Sequence, residues 1–397
     1  MGTISGDALA LPAADTAGDE HVRGYRPELD AVRFLAFLLV FVHHFLLLSP
    51  TYATRENLVA FAGEGGWRVQ LALAEACGMG LCLFFTLSAY LITSLLLDER
   101  RKYTAISVRR FYIRRALRIW PLYFLGVAIG LGFALASHQR NDVTGFVWYL
   151  LFAGNFYCGA FGWLHNPMTA LWSISIEEQF YLLWPWAMRW ISGRGLLACA
   201  FFFIAGANIT LFIFGQHHVE TDVVVWTNTF VQFEMFAVGI LLALARKHMA
   251  WHKPGFGLML AFTGPIFWFE ACLTFRAKMP AGSGTATSGL SLMIAYALAA
   301  LGCAAVLQGF CMIGPSHIPQ WAANLGKISY GLYVYHILAI DFSHALFNSK
   351  HGFLPFAASV LVALLLTISA ATVSYAYVET PFLRLKRRFE LLHSRPI

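Results

Sequence analysis

Residues 29–48 read LDAVRFLAFLLVFVHHFLLL. The run 31–49 is close to the roughly 20 apolar residues that cross a bilayer as a helix, yet it carries Arg33 and the pair His43-His44. An ionisable group inside such a helix costs about 2.5–3.5 kcal/mol on insertion scales, so each one is a candidate for function. Arg33 and His44 are eleven residues apart. At 100° per residue they project from one face, about 16 Å apart along the axis, while His43 points about 100° away. A cytosolic arginine can grip an anionic group while an imidazole sits deep in the membrane, where histidine is suited to taking a proton near neutral pH. On spacing alone, a hydrogen-bonding contact between the histidines and a neighbouring helix is the competing reading.

The rest of the chain repeats this pattern. Of 397 residues, 58% are hydrophobic and 12% charged, against about 45–50% and about 25% in soluble domains. A soluble surface cannot be covered from that composition, so lipid is the solvent for much of the chain. The 35 Phe, 12 Trp and 15 Tyr suit lipid-facing and interfacial positions. Apolar runs predict spans near 31–49, 76–97, 117–136, 171–191, 195–214, 224–245, 256–275, 288–312, 327–347 and 354–378. The run 144–158 is shorter and is broken at Gly154-Asn155. The expected fold is an all-α, polytopic transmembrane bundle of about ten spans with one short re-entrant or interfacial segment.

The positive-inside rule decides between ten and eleven crossings. Arg100 to Arg118 form the strongest basic loop and mark the cytosolic side. Ten spans also place Arg189–Arg194, Arg246-Lys247-His248 and Arg384–Arg388 in the cytosol, whereas eleven would move Arg189–Arg194 outside. Loops at 50–75, 138–170, 215–223, 276–287 and 348–353 then face outward. Residues 1–28 are expected as a cytosolic tail without a cleavable leader or myristoylation signal, 29–389 as the membrane domain, and 390–397 as a second cytosolic tail. The net charge of +7 collects in cytosolic loops. It points to anionic lipid or a polyanionic substrate rather than nucleic acid. The seven cysteines fall mostly in apolar runs without a CxxC pair or a Cys/His cluster, so they read as buried thiols and no metal site is expected.

Two further clusters carry charge into spans. Within WSISIEEQFY (172–181), Glu177 and Glu178 lie near the outer end of a span and point about 100° apart. One can face a cavity or an imidazole while the other favours the first helical turn, and interfacial solvation of both is the alternative. In RRALRIWPLY (114–123), Arg114, Arg115 and Arg118 enter a span at i, i+1 and i+4. They are suited to phosphates, or equally to fixing topology.

Taken together, these stretches resemble the acyltransferase-3 family of integral membrane proteins. Arg33 and His44 match its arginine–ten residues–histidine signature, and spacing favours His44 over His43. FFTLSAYLI (84–92) is similar to FF-x-LSGFLI, with Ala89 in place of the usual glycine. Residues 114–123 are similar to RRxxRIxPxY, 172–184 to WSLSVEEQFYLLW, 328–336 to ISYSLYLWH, and 374–382 to SY-x-x-x-E-x-P-F. The resemblance covers about 28–389.

The resemblance implies transfer of an acyl group, often acetyl, from acyl-CoA as co-substrate to a hydroxyl of a glycan or macrolide-like small molecule. It implies no permanently bound cofactor, a bacterial inner-membrane location with both termini cytosolic, and a stand-alone member without a fused hydrolase-like domain. Arg33, Arg114, Arg115 and Arg118 are the expected contacts to acyl-CoA. His44 is the expected base or acyl carrier, with Glu177 or Glu178 orienting its ring. Tyr181, Tyr333 and His336 are expected to line the substrate site. A transporter or flippase is the competing class, but no internal repeat or paired broken helices support it.

Overall fold

The computed structural model describes residues 25–48, 55–103, 105–219, 221–246, 253–277, 288–347 and 353–391. Most of both expected tails, residues 50–54, 220, 278–287 and 348–352 of the expected outward loops, and Lys247-His248 therefore lie outside the described residues. The chain is all-α and polytopic. Its helices are α1 (Pro27–Leu47), α2 (Arg55–Gly78), α3 (Gly80–Tyr103), α4 (Val108–Ala136), α5 (Arg140–Leu150), α6 (Gly154–Phe161), α7 (Trp172–Trp190), α8 (Gly193–Gln216), α9 (Thr229–Ala245), α10 (Pro254–Leu273), α11 (Gly289–Ile313), α12 (Gln320–Lys327), α13 (Ser329–Phe347), α14 (Phe353–Ser374) and α15 (Thr380–Arg387).

Each of the ten expected spans is a helix: α1, α3, α4, α7 to α11, α13 and α14. Seven helical stretches are long and apolar enough to cross a membrane. Three of the ten fall outside that set: α9 is apolar but has only 17 residues, and α7 and α13, at 19 residues each, carry polar residues that dilute their hydropathy. The outer surface carries large apolar side chains such as Phe202, Phe262 and Leu354, each more than 70% exposed. Lipid contact removes the cost such a surface would have in water. The run 144–158 forms α5 and α6, with 11 and 8 residues, which at 1.5 Å per residue are too short to span.

One expectation is corrected. Residues 55–75 are not an outward loop but most of α2, a helix broken at Gly63, where φ is 74°. The run Gly63-Glu64-Gly65-Gly66 marks a break, but the helix resumes because Ala72, Ala74 and Ala76 are buried as α2 packs on α1 and α10. α12 is a second short helix inside an expected connection. It lies across the start of α1, where Gly326 sits against the Asp30 backbone carbonyl. A Cβ at 326 would collide with that carbonyl, so Gly326→Ala is expected to cost about 1–3 kcal/mol through overpacking. Thermal unfolding in detergent measures it, and an unchanged melting temperature would refute the close approach.

Candidate active site

The starts and ends of several helices converge on one cavity. The N-terminal parts of α1, α4, α7 and α13, most of the length of α3, and Arg246 and Lys386 at the ends of α9 and α15 enclose about 300 Å³. Its lining contains six cations, Arg26, Arg33, Arg115, Arg118, Arg246 and Lys386, against three carboxylates, Asp30, Asp98 and Glu177. Asp30 holds Arg33 from one turn earlier in α1. Asp98 holds Arg246, and Arg26 Nε lies 2.6 Å from Glu28 Oε1. Lys386 Nζ lies 3.0 Å from Glu390 Oε1.

Among the described residues, no carboxylate forms an ion pair with Arg115 or Arg118. The Arg115 guanidinium instead stands 5.5 Å from the ring centres of Tyr181 and Phe111, an arrangement that favours the cation without neutralising it. The cavity thus keeps an excess of positive charge between low-dielectric walls, which concentrates anions.

Tyr181 organises the inner wall. Its hydroxyl donates to Glu177 Oε2 at 2.5 Å, one helical turn away in α7, and lies 2.5 Å from Ser88 Oγ on α3. Tyr333 marks the deep end. Its hydroxyl donates to the Ala170 carbonyl at 3.0 Å and lies 2.7 Å from Ser173 Oγ.

A second cavity of about 600 Å³ begins where the first stops, and the two share Tyr333 and Leu81 in their linings. His44, Trp163, His165, Asn166, Trp172 and Asp341 line this second space. Trp163 and Trp172 have ring centres 5.9 Å apart and form an aromatic wall beside polar groups.

The two adjacent histidines have different surroundings. His43 is 5% exposed and its Nδ1 lies 2.8 Å from the Ala74 carbonyl and 3.8 Å from Glu75 Oε2, which ties α1 to α2. Both histidines line the second cavity, but His44 turns to α13, where its Nδ1 lies 2.9 Å from His336 Nε2.

Arg33, Arg115, Arg118, Glu177, Tyr181 and Tyr333 are therefore brought together, with His44 across the Tyr333 boundary. Arg114 is not with them: it donates to Glu99 Oε1 at 2.5 Å and to the Phe389 carbonyl at 3.2 Å. Glu178 turns to the other side of α7 and accepts from Trp120 Nε1 at 3.2 Å. The expectation that Glu177 or Glu178 orients the His44 ring is corrected, because neither carboxylate is bonded to it and His336 holds Nδ1. His336 itself is fully buried and lines neither cavity.

Sequence reasoning missed Asp30, Ser88, Ser173 and Lys386. Asp30 was signalled by its i, i+3 spacing to Arg33. Ser88 and Ser173 lie inside stretches already singled out, while Lys386 reads only as a topological charge.

Residues 26–379 match the protein family described as "Acyltransferase domain". Peptidoglycan O-acetyltransferase OatA of Listeria monocytogenes is 30% identical over 190 residues, which are 44% of this chain and 26% of that protein. Nodulation protein 10 of Rhizobium leguminosarum bv. viciae is 26% identical over 402 residues, covering 93% of this chain and 96% of that one. The chain thus corresponds to about a quarter of the first relative and to nearly all of the second. No solved structure matches it. With the ten expected spans folded as helices, the paired cavities assembled and the family match covering nearly all of the bundle, the chain belongs to the acyltransferase-3 family of membrane proteins.

Proposed function

We propose that the protein moves an acetyl group from acetyl-CoA to a hydroxyl of a glycan or glycosylated small molecule, across the boundary between its two cavities. The observation that carries this reading is a cationic cavity, in which Arg115 and Arg118 form no ion pair among the described residues, that ends, at Tyr333, beside the cavity of His44. The donor's phosphates would bind Arg115 and Arg118, with Arg33 deeper in the same wall. Its pantetheine arm would follow the α1 face towards Tyr333, a reach of about 16 Å from Arg33 to His44 along the helix. The second cavity would receive the acceptor, where aromatic faces and polar side chains suit a sugar ring. OatA is named for O-acetyl transfer to peptidoglycan, and that name supports a glycan acceptor.

His44 would act as general base. It takes the proton of the acceptor hydroxyl as the oxygen bonds to the thioester carbon. The tetrahedral adduct then collapses with cleavage of the C–S bond, and the proton passes to the departing thiolate to give free CoA. The positive-inside reading of the basic loops supports a donor cavity on the cytosolic side of a bacterial inner membrane, with both termini cytosolic.

The test is release of free thiol from acetyl-CoA by purified protein in nanodiscs, with and without an acceptor sugar. Arg115→Ala or Arg118→Ala is expected to raise KM for acetyl-CoA by about 10–100-fold, from the ~1.5–3 kcal/mol of a charged hydrogen bond, with a smaller effect on kcat. Folded wild-type protein that neither binds nor cleaves acyl-CoA would overturn the reading and favour transport.

A further inference from the structure

We infer that His336 is a positioning residue that sets the tautomer of His44 and so decides which of its nitrogens is basic. This assignment rests on the reading of His44 as the base. The argument begins at a carbonyl. His336 Nδ1 lies 2.5 Å from the backbone oxygen of Tyr333, one turn earlier in α13. That oxygen has no hydrogen to donate, so His336 carries its proton on Nδ1. In a neutral ring, Nε2 is then an acceptor. The group 2.9 Å from it is His44 Nδ1, which must therefore carry the shared hydrogen. By elimination, the basic nitrogen of His44 is Nε2.

Nothing about His336 suits it to touching substrate. It is fully buried, with the Phe37 ring edge-on at 6.3 Å and the Tyr333 ring at 5.4 Å between centres. These contacts leave its ring little freedom to turn, so the sequence Tyr333 carbonyl–His336–His44 has one direction. The same bond serves during turnover. When His44 accepts the acceptor's proton on Nε2, its Nδ1–H still donates to His336 and the imidazolium keeps its orientation. A carboxylate in that place would hold the same tautomer but would bury a charge within the membrane, at a cost the neutral imidazole avoids. Hydrogen-bonded partners that fix a histidine tautomer are a general means of aiming the other nitrogen.

Two substitutions separate this role from simple packing. His336→Phe keeps an aromatic ring but removes the acceptor. His336→Gln is smaller but offers an amide oxygen to His44 Nδ1–H. We expect His336→Phe to lower kcat at least about tenfold, and no further than loss of His44 itself, with KM for acetyl-CoA unchanged. His336→Gln should retain kcat within about threefold. In parallel, 15N NMR of histidine-labelled protein in nanodiscs should show His44 protonated at Nδ1 in wild type and His336→Gln, and redistributed towards Nε2 in His336→Phe. Wild-type kcat in His336→Phe, a His336→Gln protein as impaired as His336→Phe, or an unchanged His44 tautomer in His336→Phe would each overturn the assignment. If wild-type protein shows no acyl transfer at all, the enzymatic reading fails, and the NMR comparison still decides the positioning role by itself.

Discussion

His44→Ala is expected to lower acetyl transfer about 10²–10⁴-fold, the usual contribution of a general base, while acetyl-CoA binding persists. The expectation follows from the separation of the two cavities. The cations that would hold the donor line the first space, and His44 lines the second. Removing the imidazole therefore leaves the phosphate contacts untouched. Free-thiol release measures the rate, and equilibrium binding of labelled acetyl-CoA measures the donor site in the same preparation. His43→Ala is the matched control, because His43 is tied to the Ala74 carbonyl on α2. It should lower thermal stability and spare most of the turnover. Full activity in His44→Ala would remove the central residue of the mechanism. Loss of donor binding together with turnover would instead make His44 a wall of the donor site.

The largest expected effect on stability comes from Arg114→Leu. Arg114 and Glu99 form an ion pair whose side chains are 7% and 1% exposed. Breaking such a pair by removing one partner costs about 3–5 kcal/mol, because the other charge stays buried without compensation. Arg114 also donates to the Phe389 carbonyl, so the substitution releases the segment after α15 from α4. Replacing both partners, Arg114→Leu with Glu99→Leu, should recover most of the lost stability, since a well-packed apolar pair is often neutral. Thermal unfolding of the two single variants and the double variant forms the cycle that measures the coupling. The result also settles the role of the arginine expected at the donor site. An Arg114→Leu protein as stable as wild type but with a raised KM for acetyl-CoA would mark Arg114 as a donor contact and refute the structural reading.

The helices were legible because each carries its own signal. A span is a run of about 20 apolar residues, and that condition is local. All ten expected spans fall on helices, including α7 and α13, whose polar residues dilute the hydropathy. α2 escaped because Gly63, Gly65 and Gly66 imitate a loop, and its burial against α1 and α10 has no local signature. Charged residues inside spans stand out in the sequence as exceptional, since each must be justified by a partner or a cavity.

Their partners were a different matter. Arg33 and Asp30 are one turn apart on a single helix, and such a pair can be read from spacing. His44 and His336 are 292 residues apart, and nothing in either stretch states that α1 and α13 cross at that height. The same holds for Glu99 and Arg114, which stand on separate helices, α3 and α4, and whose meeting neither stretch states.

By itself, then, the sequence determined the all-α membrane fold, the shared face of Arg33 and His44, and the set of polar residues worth explaining, since hydropathy and helical period depend on a residue and its near neighbours. Tertiary structure alone decided that Arg115 and Arg118 form no ion pair among the described residues while Arg114 pairs with Glu99, that His336 rather than Glu177 or Glu178 holds His44, and that two cavities meet at Tyr333. Those outcomes depend on how helices rotate and cross, which packing energy sets over the whole bundle and no single stretch encodes.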